Sequence, residues 1–154
     1  MGEEIERKFL VEGESWRDEA TGVKYRQGFL STVAERTVRV RVAGHRGTIT
    51  IKGKNVGARR AEFEYEIPVD DAEQMLDTLC ERPLIEKVRY TLTVGRHTWE
   101  VDVFGGDNAG LLVAEIELGS EDEAFDKPEW AGDEVTDDPR YFNSNLVAAP
   151  YQTW

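Results

Sequence analysis

The sequence has little of the material that several classes of protein depend on. It contains a single cysteine, Cys80, so no disulfide can form within the chain. It has no run of about eighteen apolar residues, which a membrane-spanning helix needs. Basic residues are outnumbered, 19 against 31 acidic ones, and the net charge of -12 repels nucleic acid and anionic membranes. We therefore expect neither a nucleic acid polymer nor a membrane as partner.

The length of 154 residues suits one domain, residues 1–154, with a core of its own. The first residues include Glu3 and Glu4 instead of a basic and then apolar leader, so we expect a cytoplasmic protein. Residues 119–138 hold nine acidic residues and one lysine, which predicts a solvated, partly helical segment. Asp138 and Pro139 can begin a C-terminal helix over 139–149. The domain is thus predicted to end, over 119–154, in an acidic segment plus a helix.

What the sequence does have is alternation between charged and apolar residues, which predicts strands with one buried face. In the first strand, over 4–11, Glu4, Glu6 and Lys8 share one face while Ile5 and Phe9 share the other. The same alternation predicts strands over 23–30, 37–42, 48–52, 61–69, 85–94, 98–104 and 111–118.

One helix interrupts the predicted strands. It begins at Asp70 or Asp71 and runs to about Arg82, with Cys80 as a buried thiol on its apolar side. About eight strands, joined mostly by hairpins, favour an antiparallel barrel or a strongly curved sheet with helices packed outside.

The charged faces carry mainly one sign each. The same-sign pairs are Glu4 with Glu6, Arg39 with Arg41, Glu62 with Glu64, Lys87 with Arg89, Glu100 with Asp102, and Glu115 with Glu117. One interpretation exposes these faces to solvent, as in an ordinary antiparallel sheet. The other turns them into a wide barrel, because solvated faces tend to mix signs. Buried carboxylates would then suit Mg²⁺ or Mn²⁺, and buried Arg and Lys would suit the oxygens of a phosphate chain.

Seven motifs resemble, in order, those of the CYTH superfamily, the triphosphate tunnel metalloenzymes. Glu4-Ile5-Glu6-Arg7-Lys8 matches the ExExK signature of that family. The others are Arg39-Val40-Arg41, Thr50-Ile51-Lys52-Gly53, Glu62-Phe63-Glu64, Lys87-Val88-Arg89, Glu100-Val101-Asp102 and Ala114-Glu115-Ile116-Glu117. Residues 128–136, with Arg140, Tyr141 and Asn143, resemble the C-terminal segment of its short bacterial members.

The resemblance implies a mainly β (α+β) fold, an eight-stranded antiparallel closed β-barrel that forms a tunnel, with helices packed outside. It also implies a divalent-metal-dependent triphosphatase whose substrate is a small-molecule triphosphate, above all inorganic triphosphate. The residues implied to bind the triphosphate are Lys8, Arg39, Arg41, Lys52, Lys87 and Arg89. Those implied to hold Mg²⁺ or Mn²⁺ are Glu4, Glu6, Glu62, Glu64, Asp102, Glu115 and Glu117.

Several alternatives are compatible with these motifs. The chain could be a thiamine triphosphatase, a class IV adenylate cyclase or a barrel that binds polyphosphate without cleaving it, and either a monomer or a homodimer. Lys8 could take the proton of the attacking water or only contact phosphate. Phe29 follows Arg26-Gln27-Gly28 where short bacterial relatives often carry tyrosine, so a hydroxyl that could orient water or Lys8 is missing.

Overall fold

Nine strands and one α-helix make up most of the regular structure of residues 2–154, the part of the chain that the computed structural model describes. The strands are β1 (Gly2–Val11), β2 (Thr21–Ser31), β3 (Thr37–Ala43), β4 (Arg46–Lys52), β5 (Arg59–Ile67), β6 (Ile85–Val94), β7 (His97–Phe104), β8 (Leu112–Glu117) and β9 (Ala131–Glu134). The helix, α1, is Val69–Thr78. Short 3₁₀ turns lie at Ser15–Glu19, Gly106–Asn108, Pro139–Tyr141, Asn143–Leu146 and Tyr151–Thr153.

Eight of the strands close into a barrel. Their order is β5-β4-β3-β2-β6-β7-β8-β1, and each neighbouring pair is antiparallel. β1 also pairs with β5, through residues 2–5 opposite residues 59–62, which closes the sheet. β9 pairs with the other half of β1, at Phe9 and Val11. The expected eight-stranded antiparallel closed barrel is confirmed.

The charged faces of the strands point into this barrel and the apolar faces point outward. On β3, Arg39 and Arg41 line the interior, whereas Val40 packs outside against Leu76 of α1. This alternation follows from the period of two along a strand. The interpretation that exposes all the charged faces to solvent is therefore wrong.

Two apolar clusters cover the outside of the barrel, and a third closes one end of its interior. α1 packs over β3 and β4. Trp16 and Trp130 cover Trp99 on the side of β1, β7 and β8. In the third cluster, Leu146 of the C-terminal segment packs with Phe29 and Ile85, which lie on inward strand faces. The two outer covers bury the apolar faces of strands whose charged faces stay inside.

Helix α1 ends at Thr78, earlier than the predicted end near Arg82. The backbone amides of Leu79 and Cys80 both donate to the carbonyl of Met75, at 2.9 and 3.0 Å, which closes the last turn. Cys80 is buried, as predicted, while Leu79 is exposed. Within residues 2–154, no helix has the length and hydropathy needed to cross a membrane.

The predicted C-terminal helix over 139–149 does not form. Asp138 does cap the first turn, because its side chain accepts a hydrogen bond from the backbone amide of Arg140 at 3.1 Å. Phe142 then adopts an extended backbone, with φ -71° and ψ 127°, and interrupts the turn. The chain continues as separate 3₁₀ turns, which direct Phe142 and Asn143 at the interior of the barrel.

Residues 119–138 are not helical either. Phe125 and Trp130 pack against Trp99, with 5.8 and 5.3 Å between ring centroids. Residues 131–134 form β9 beside β1. The negative charge of this segment predicted a solvated chain, but its two aromatic side chains hold it on the barrel.

Candidate functional site

The barrel encloses a polar cavity of about 300 Å³, lined by side chains from all eight of its strands. Every residue implied to bind phosphate or metal lines it except Asp102. Those that do are Glu4, Glu6, Lys8, Arg39, Arg41, Lys52, Glu62, Glu64, Lys87, Arg89, Glu115 and Glu117. Residues far apart in the sequence thus meet at one site.

Asp102 lies behind the wall of the cavity. Its carboxylate is completely buried and accepts hydrogen bonds from Lys87 Nζ at 2.7 Å and from Arg89 Nε and Nη2 at 2.8 and 2.9 Å. Burial favours the neutral acid, but the charges of Arg89 and Lys87 outweigh it and lower the pKa of Asp102. Asp102 is therefore an ionised anchor for two cations.

Glu115 links this anchor to Lys8. One of its oxygens accepts from Arg89 Nη2 at 2.9 Å, and the other accepts from Lys8 Nζ at 2.5 Å. Lys8 also donates to Glu6 at 2.9 Å. Burial alone would lower the pKa of Lys8, but the carboxylates of Glu115 and Glu6 raise it. Lys8 is therefore held as an ammonium.

Lys87 is a lysine of the opposite character. Burial has the largest effect on its pKa and lowers it, and the nearby cations Arg89 and Arg41 lower it further. Asp102 offsets these only in part, so the pKa of Lys87 falls to about 7. Its Nζ also donates to Asn143 Oδ1 at 3.1 Å. Lys87 can therefore lose a proton near neutral pH, which Lys8 cannot.

Arg39 and Arg41 depend mainly on uncharged partners. Arg41 Nε donates to Gln27 Oε1 at 2.8 Å, and no carboxylate of residues 2–154 lies within 4.0 Å of its guanidinium nitrogens. Arg39 Nη2 donates to Thr50 Oγ1 at 3.1 Å and is 3.4 Å from Glu64, while its buried Nε has no partner among the described residues. These two guanidinium groups retain donors for an anionic ligand.

Two carboxylates of β1 are held by lysines instead of by arginines. Lys52 Nζ donates to Glu4 at 2.8 Å and lies 3.3 Å from Glu62. Lys8 holds Glu6 in the same way, as described above. Amine groups thus occupy the space between carboxylates along this side of the cavity.

A family model described as the CYTH domain matches residues 2–148. The chain belongs to the CYTH family. It is similar to an inorganic triphosphatase of Acetivibrio thermocellus, at 52% identity over 100% of this chain and 99% of that protein. It is also similar to one of Nitrosomonas europaea, at 41% identity over 94% of this chain and 96% of that protein. The crystal structure of the inorganic triphosphatase NE1496 has a TM-score of 0.69 at 36% identity, with 96% of both chains covered.

Two carboxyl groups of this CYTH barrel lie where their negative charge is disfavoured. Burial raises the pKa of Glu117, and the carboxylates of Glu4 and Glu6 add to that rise. Burial also raises the pKa of Glu100, against the opposing charge of Arg89. Within residues 2–154, however, no three Asp, Glu, His or Cys side chains converge closely enough to hold an ion as they stand.

Sequence reasoning missed five residues that complete the CYTH site: Tyr25, Gln27, Arg60, Glu100 and Asn143. The alternation places Glu100 on the same strand face as Asp102, yet Glu100 lines the cavity and Asp102 does not. Tyr25 and Gln27 alternate on β2, where the pattern was weak. Arg60 falls where a loop was predicted, although β5 begins at Arg59. Asn143 gave no periodic signal, because a 3₁₀ turn brings it to the cavity.

Phe29 lies at the same end of the cavity as the C-terminal segment. Its ring is buried, with 4% of the residue exposed, and it lies in the apolar cluster that contains Leu146. It also lines the cavity, as do Phe142 and Asn143. This end of the site is therefore apolar at position 29, where short bacterial relatives often carry tyrosine.

Proposed function

We propose that this CYTH protein hydrolyses inorganic triphosphate with the help of Mg²⁺ or Mn²⁺, and that the cavity residues described above are its site. The observation that carries the proposal is the charge arrangement inside one closed barrel. Arg41 has no carboxylate within 4.0 Å among residues 2–154, and Arg39 has only Glu64, at 3.4 Å. They share the cavity with Glu100 and Glu117, whose pKa values are raised. The inorganic triphosphatases of Acetivibrio thermocellus and Nitrosomonas europaea, similar to this chain over nearly their whole length, support the same function.

The phosphate chain is proposed to bind to the basic side chains. Arg39 and Arg41 offer free donors, and a guanidinium binds phosphate oxygens through two parallel hydrogen bonds. The remaining contacts are proposed to come from Lys8, Lys52, Lys87 and Arg89. Binding a polyanion would also free Glu4, Glu6 and Glu115, because their lysines could then turn to phosphate.

The metal is proposed to bind to the carboxylates Glu4, Glu6, Glu62, Glu64, Glu115 and Glu117. Their oxygen donors suit Mg²⁺ and Mn²⁺, and the raised pKa of Glu117 reflects carboxylates in need of a countercharge. A bound divalent ion supplies charge neutralisation at phosphoryl oxygens. Glu100 belongs with this group because it lines the cavity, whereas Asp102 is committed to Lys87 and Arg89.

Hydrolysis requires that water attack the terminal phosphorus, that the bridging P–O bond break, and that water give up a proton. Of Lys8 and Lys87, Lys87 suits the proton acceptor better, because its pKa is lowered to about 7 whereas that of Lys8 is raised. Lys8 is then proposed to contact phosphate. The products are phosphate and pyrophosphate.

Phosphate release from inorganic triphosphate, ATP and thiamine triphosphate, each with Mg²⁺, with Mn²⁺ or with EDTA, tests the proposal directly. We expect metal-dependent release that is fastest from inorganic triphosphate. Faster release from thiamine triphosphate would identify a thiamine triphosphatase. Formation of cyclic AMP and pyrophosphate from ATP would identify a cyclase, and binding of polyphosphate with no release would identify a binding barrel.

The metal assignment is tested by Glu117→Gln, which keeps the shape of the side chain but removes its charge. We expect turnover at limiting Mg²⁺ to fall on the order of 10- to 100-fold while the protein stays folded. Glu66→Gln is the matched control, because Glu66 lies on the same kind of strand but pairs with Arg46 at 3.5 Å in solvent. Equal Mg²⁺ dependence in the two variants would contradict the assignment.

The net charge of -12 disfavours a nucleic acid polymer as partner. We propose a cytoplasmic protein that acts on a small triphosphate.

A further inference from the structure

A chain of two amide side chains joins Arg41 to Lys87 across the end of the cavity. Arg41 Nε donates to Gln27 Oε1 at 2.8 Å, Gln27 Nε2 donates to Asn143 Oδ1 at 2.8 Å, and Lys87 Nζ donates to the same oxygen at 3.1 Å. Gln27 is completely buried. Asn143 comes from the C-terminal segment, and the others come from β2, β3 and β6.

Arg41 fixes the direction of this chain of hydrogen bonds. A guanidinium can only donate, so Gln27 must present its oxygen to Arg41. Gln27 then donates through its amide nitrogen to Asn143 Oδ1, the oxygen that also accepts from Lys87 Nζ. Because the direction is set from Arg41, it holds whether or not Lys87 is protonated, and flipping Gln27 would place two donors face to face.

Arg41 has few other restraints. Its guanidinium lies over the ring of Tyr25, with 4.7 Å from Cζ to the ring centroid, and none of its nitrogens is within 4.0 Å of a carboxylate of residues 2–154. The ring fixes the position of the guanidinium plane on one side. Only the Gln27 oxygen fixes the direction of its Nε–H, and Gln27 is itself held by Asn143.

We propose that Asn143 is a positioning residue: it holds the Lys87 amine directly and the Arg41 guanidinium through Gln27, at the spacing that a triphosphate requires. The identity of the ligand in this inference rests on the proposed function, but the geometry of the hydrogen bonds between Arg41 and Lys87 does not. Prior ordering of the two cations lowers the entropy cost of binding the anion. Removing Asn143 should thus weaken binding although Asn143 itself makes no salt bridge.

The first experiment measures the positioning without any ligand. In ¹⁵N-labelled protein, we expect the Nε–H of Arg41 to exchange slowly with water in the original chain and much faster in Asn143→Ala. Asn143→Asp should restore slow exchange, because a carboxylate still accepts from Gln27 and Lys87. Equal exchange in the original chain and in Asn143→Ala would overturn the proposal.

Asn145→Ala is the matched control. Asn145 lies two residues along the same segment, is exposed, and its Nδ2 donates to the carbonyl of Pro139 at 2.8 Å, away from the cavity. The Asn145→Ala variant loses a side-chain amide hydrogen bond from the 3₁₀ turn that also contains Asn143. We expect Arg41 exchange in this variant to match the original chain, and faster exchange would mean that the segment acts only through its overall stability.

The second experiment measures binding of inorganic triphosphate by calorimetry, with EDTA present to prevent turnover. We expect Asn143→Ala to bind about tenfold more weakly than the original chain, the size of one lost hydrogen bond to a charged group. Asn145→Ala should bind normally. Normal binding by Asn143→Ala would overturn the proposal, whereas the failure of the original chain to bind or to hydrolyse triphosphate would overturn the proposed function and leave the exchange result standing.

Gln27→Met tests the path from Asn143 to Arg41. Because methionine fills a similar volume without hydrogen bonds, adding Asn143→Ala to this variant should not speed Arg41 exchange further. Additive effects of the two substitutions would show that Asn143 does not act through Gln27. If Gln27→Met does not fold, the comparison of Asn143→Ala with Asn143→Asp and Asn145→Ala still decides the matter.

Discussion

Two walls of the cavity hold their cations in different ways. The first, the paired wall, consists of Lys87, Arg89 and Glu115 with Asp102 buried behind them, on β6, β7 and β8, where cations and carboxylates meet at 2.7–2.9 Å. The second, the open wall, consists of Arg39, Arg41 and Arg60 on β3 and β5. The shortest contact of each is to a hydroxyl, an amide and a backbone carbonyl, at 3.1, 2.8 and 3.0 Å, and Arg39 also lies 3.4 Å from Glu64.

This difference separates charges that hold the barrel together from charges that remain available. A buried ion pair satisfies both of its members, and breaking it leaves a charge exposed to a poorly polarisable interior. A guanidinium that meets only neutral oxygens keeps its full charge and is ready for an anion. We infer that the ion pairs of the paired wall stabilise the strands and fix Lys87 and Arg89 in place for the phosphate chain, whereas the open wall depends on the ligand for its countercharge. Each prediction below tests one side of that division.

The largest expected effect concerns Lys87, the member of the paired wall with a lowered pKa. Lys87→Arg keeps the charge but cannot accept a proton at accessible pH. We expect turnover of triphosphate to fall by about 10²–10⁴. In the original chain the rate should rise as pH passes about 7, where Lys87 loses its proton, and this rise should be absent in the variant. Rates measured from pH 5 to 9 test both points, after thermal melts confirm that the variant folds.

Lys8→Arg is the comparison for that experiment. The raised pKa of Lys8 keeps it protonated throughout this range, so replacing it by another cation should change turnover by less than about tenfold and leave the rise near pH 7 intact. Loss of the rise in Lys8→Arg, with the rise retained in Lys87→Arg, would assign the proton acceptor to Lys8 instead.

The next largest effect should be on stability, through Asp102→Asn. This change leaves Lys87 and Arg89 buried without their common carboxylate, so the free energy of unfolding should fall by about 3–5 kcal/mol. Urea denaturation at pH 7 measures it. Asp77→Asn is the control, because Asp77 pairs with Arg26 at 3.0 Å in an exposed position, and such pairs contribute about 0–1 kcal/mol. Equal losses in the two variants would contradict a structural role for the paired wall.

The pH dependence of stability gives Asp102 a second test. Its pKa in the folded chain is lowered, so its contribution is present above the ordinary pKa of an aspartate and is lost as pH falls through the folded value. The free energy of unfolding of the original chain should therefore fall on acidification. That fall should be shallower in Asp102→Asn, which has no carboxylate to protonate.

The difference between the walls also explains what could be predicted from the sequence. Alternation gives the face on which a side chain lies, and it assigned Glu100 and Asp102 correctly to one face of a strand. It does not give depth, which depends on how the strands tilt in the closed barrel. Asp102 therefore looked equivalent to Glu100, although the fold buries Asp102 and leaves Glu100 on the cavity.

The C-terminal segment shows a second limit. Asp138 and Pro139 are good helix-starting residues, and the cap forms as predicted. The extended backbone of Phe142 then ends the turn, because packing of Leu146 and contact of Asn143 with the cavity compete with the local preference. The hydrogen bond between Gln27 and Asn143 cannot be predicted from local sequence patterns, because it joins segments that are far apart in the sequence.

In the open wall, Arg41→Ala should weaken triphosphate binding by about 1.5–3 kcal/mol, or roughly 10- to 100-fold. The thermal stability of the ligand-free chain should be unchanged or higher, because Arg39 and Arg89 repel Arg41 and burial disfavours its charge. Calorimetric titration and a thermal melt measure the two quantities. Arg46→Ala is the control, since Arg46 is exposed outside the cavity, and a strongly destabilised Arg41→Ala would move Arg41 to the paired wall.

The smallest effect should come from Tyr25, whose ring touches both walls. It lies 4.7 Å from Arg41 Cζ and 5.2 Å from Arg89 Cζ, within the range of cation–π attraction. Arg89 is already fixed by Asp102 and Glu115, so removing the ring should matter only for Arg41. We expect Tyr25→Leu to weaken triphosphate binding by about 0.5–1 kcal/mol and Tyr25→Phe, which keeps the ring, to bind normally. In an Arg41→Ala background, Tyr25→Leu should add nothing; a further loss there would mean that the ring also positions a cation of the paired wall, Arg89 at 5.2 Å or Lys87 at 5.9 Å.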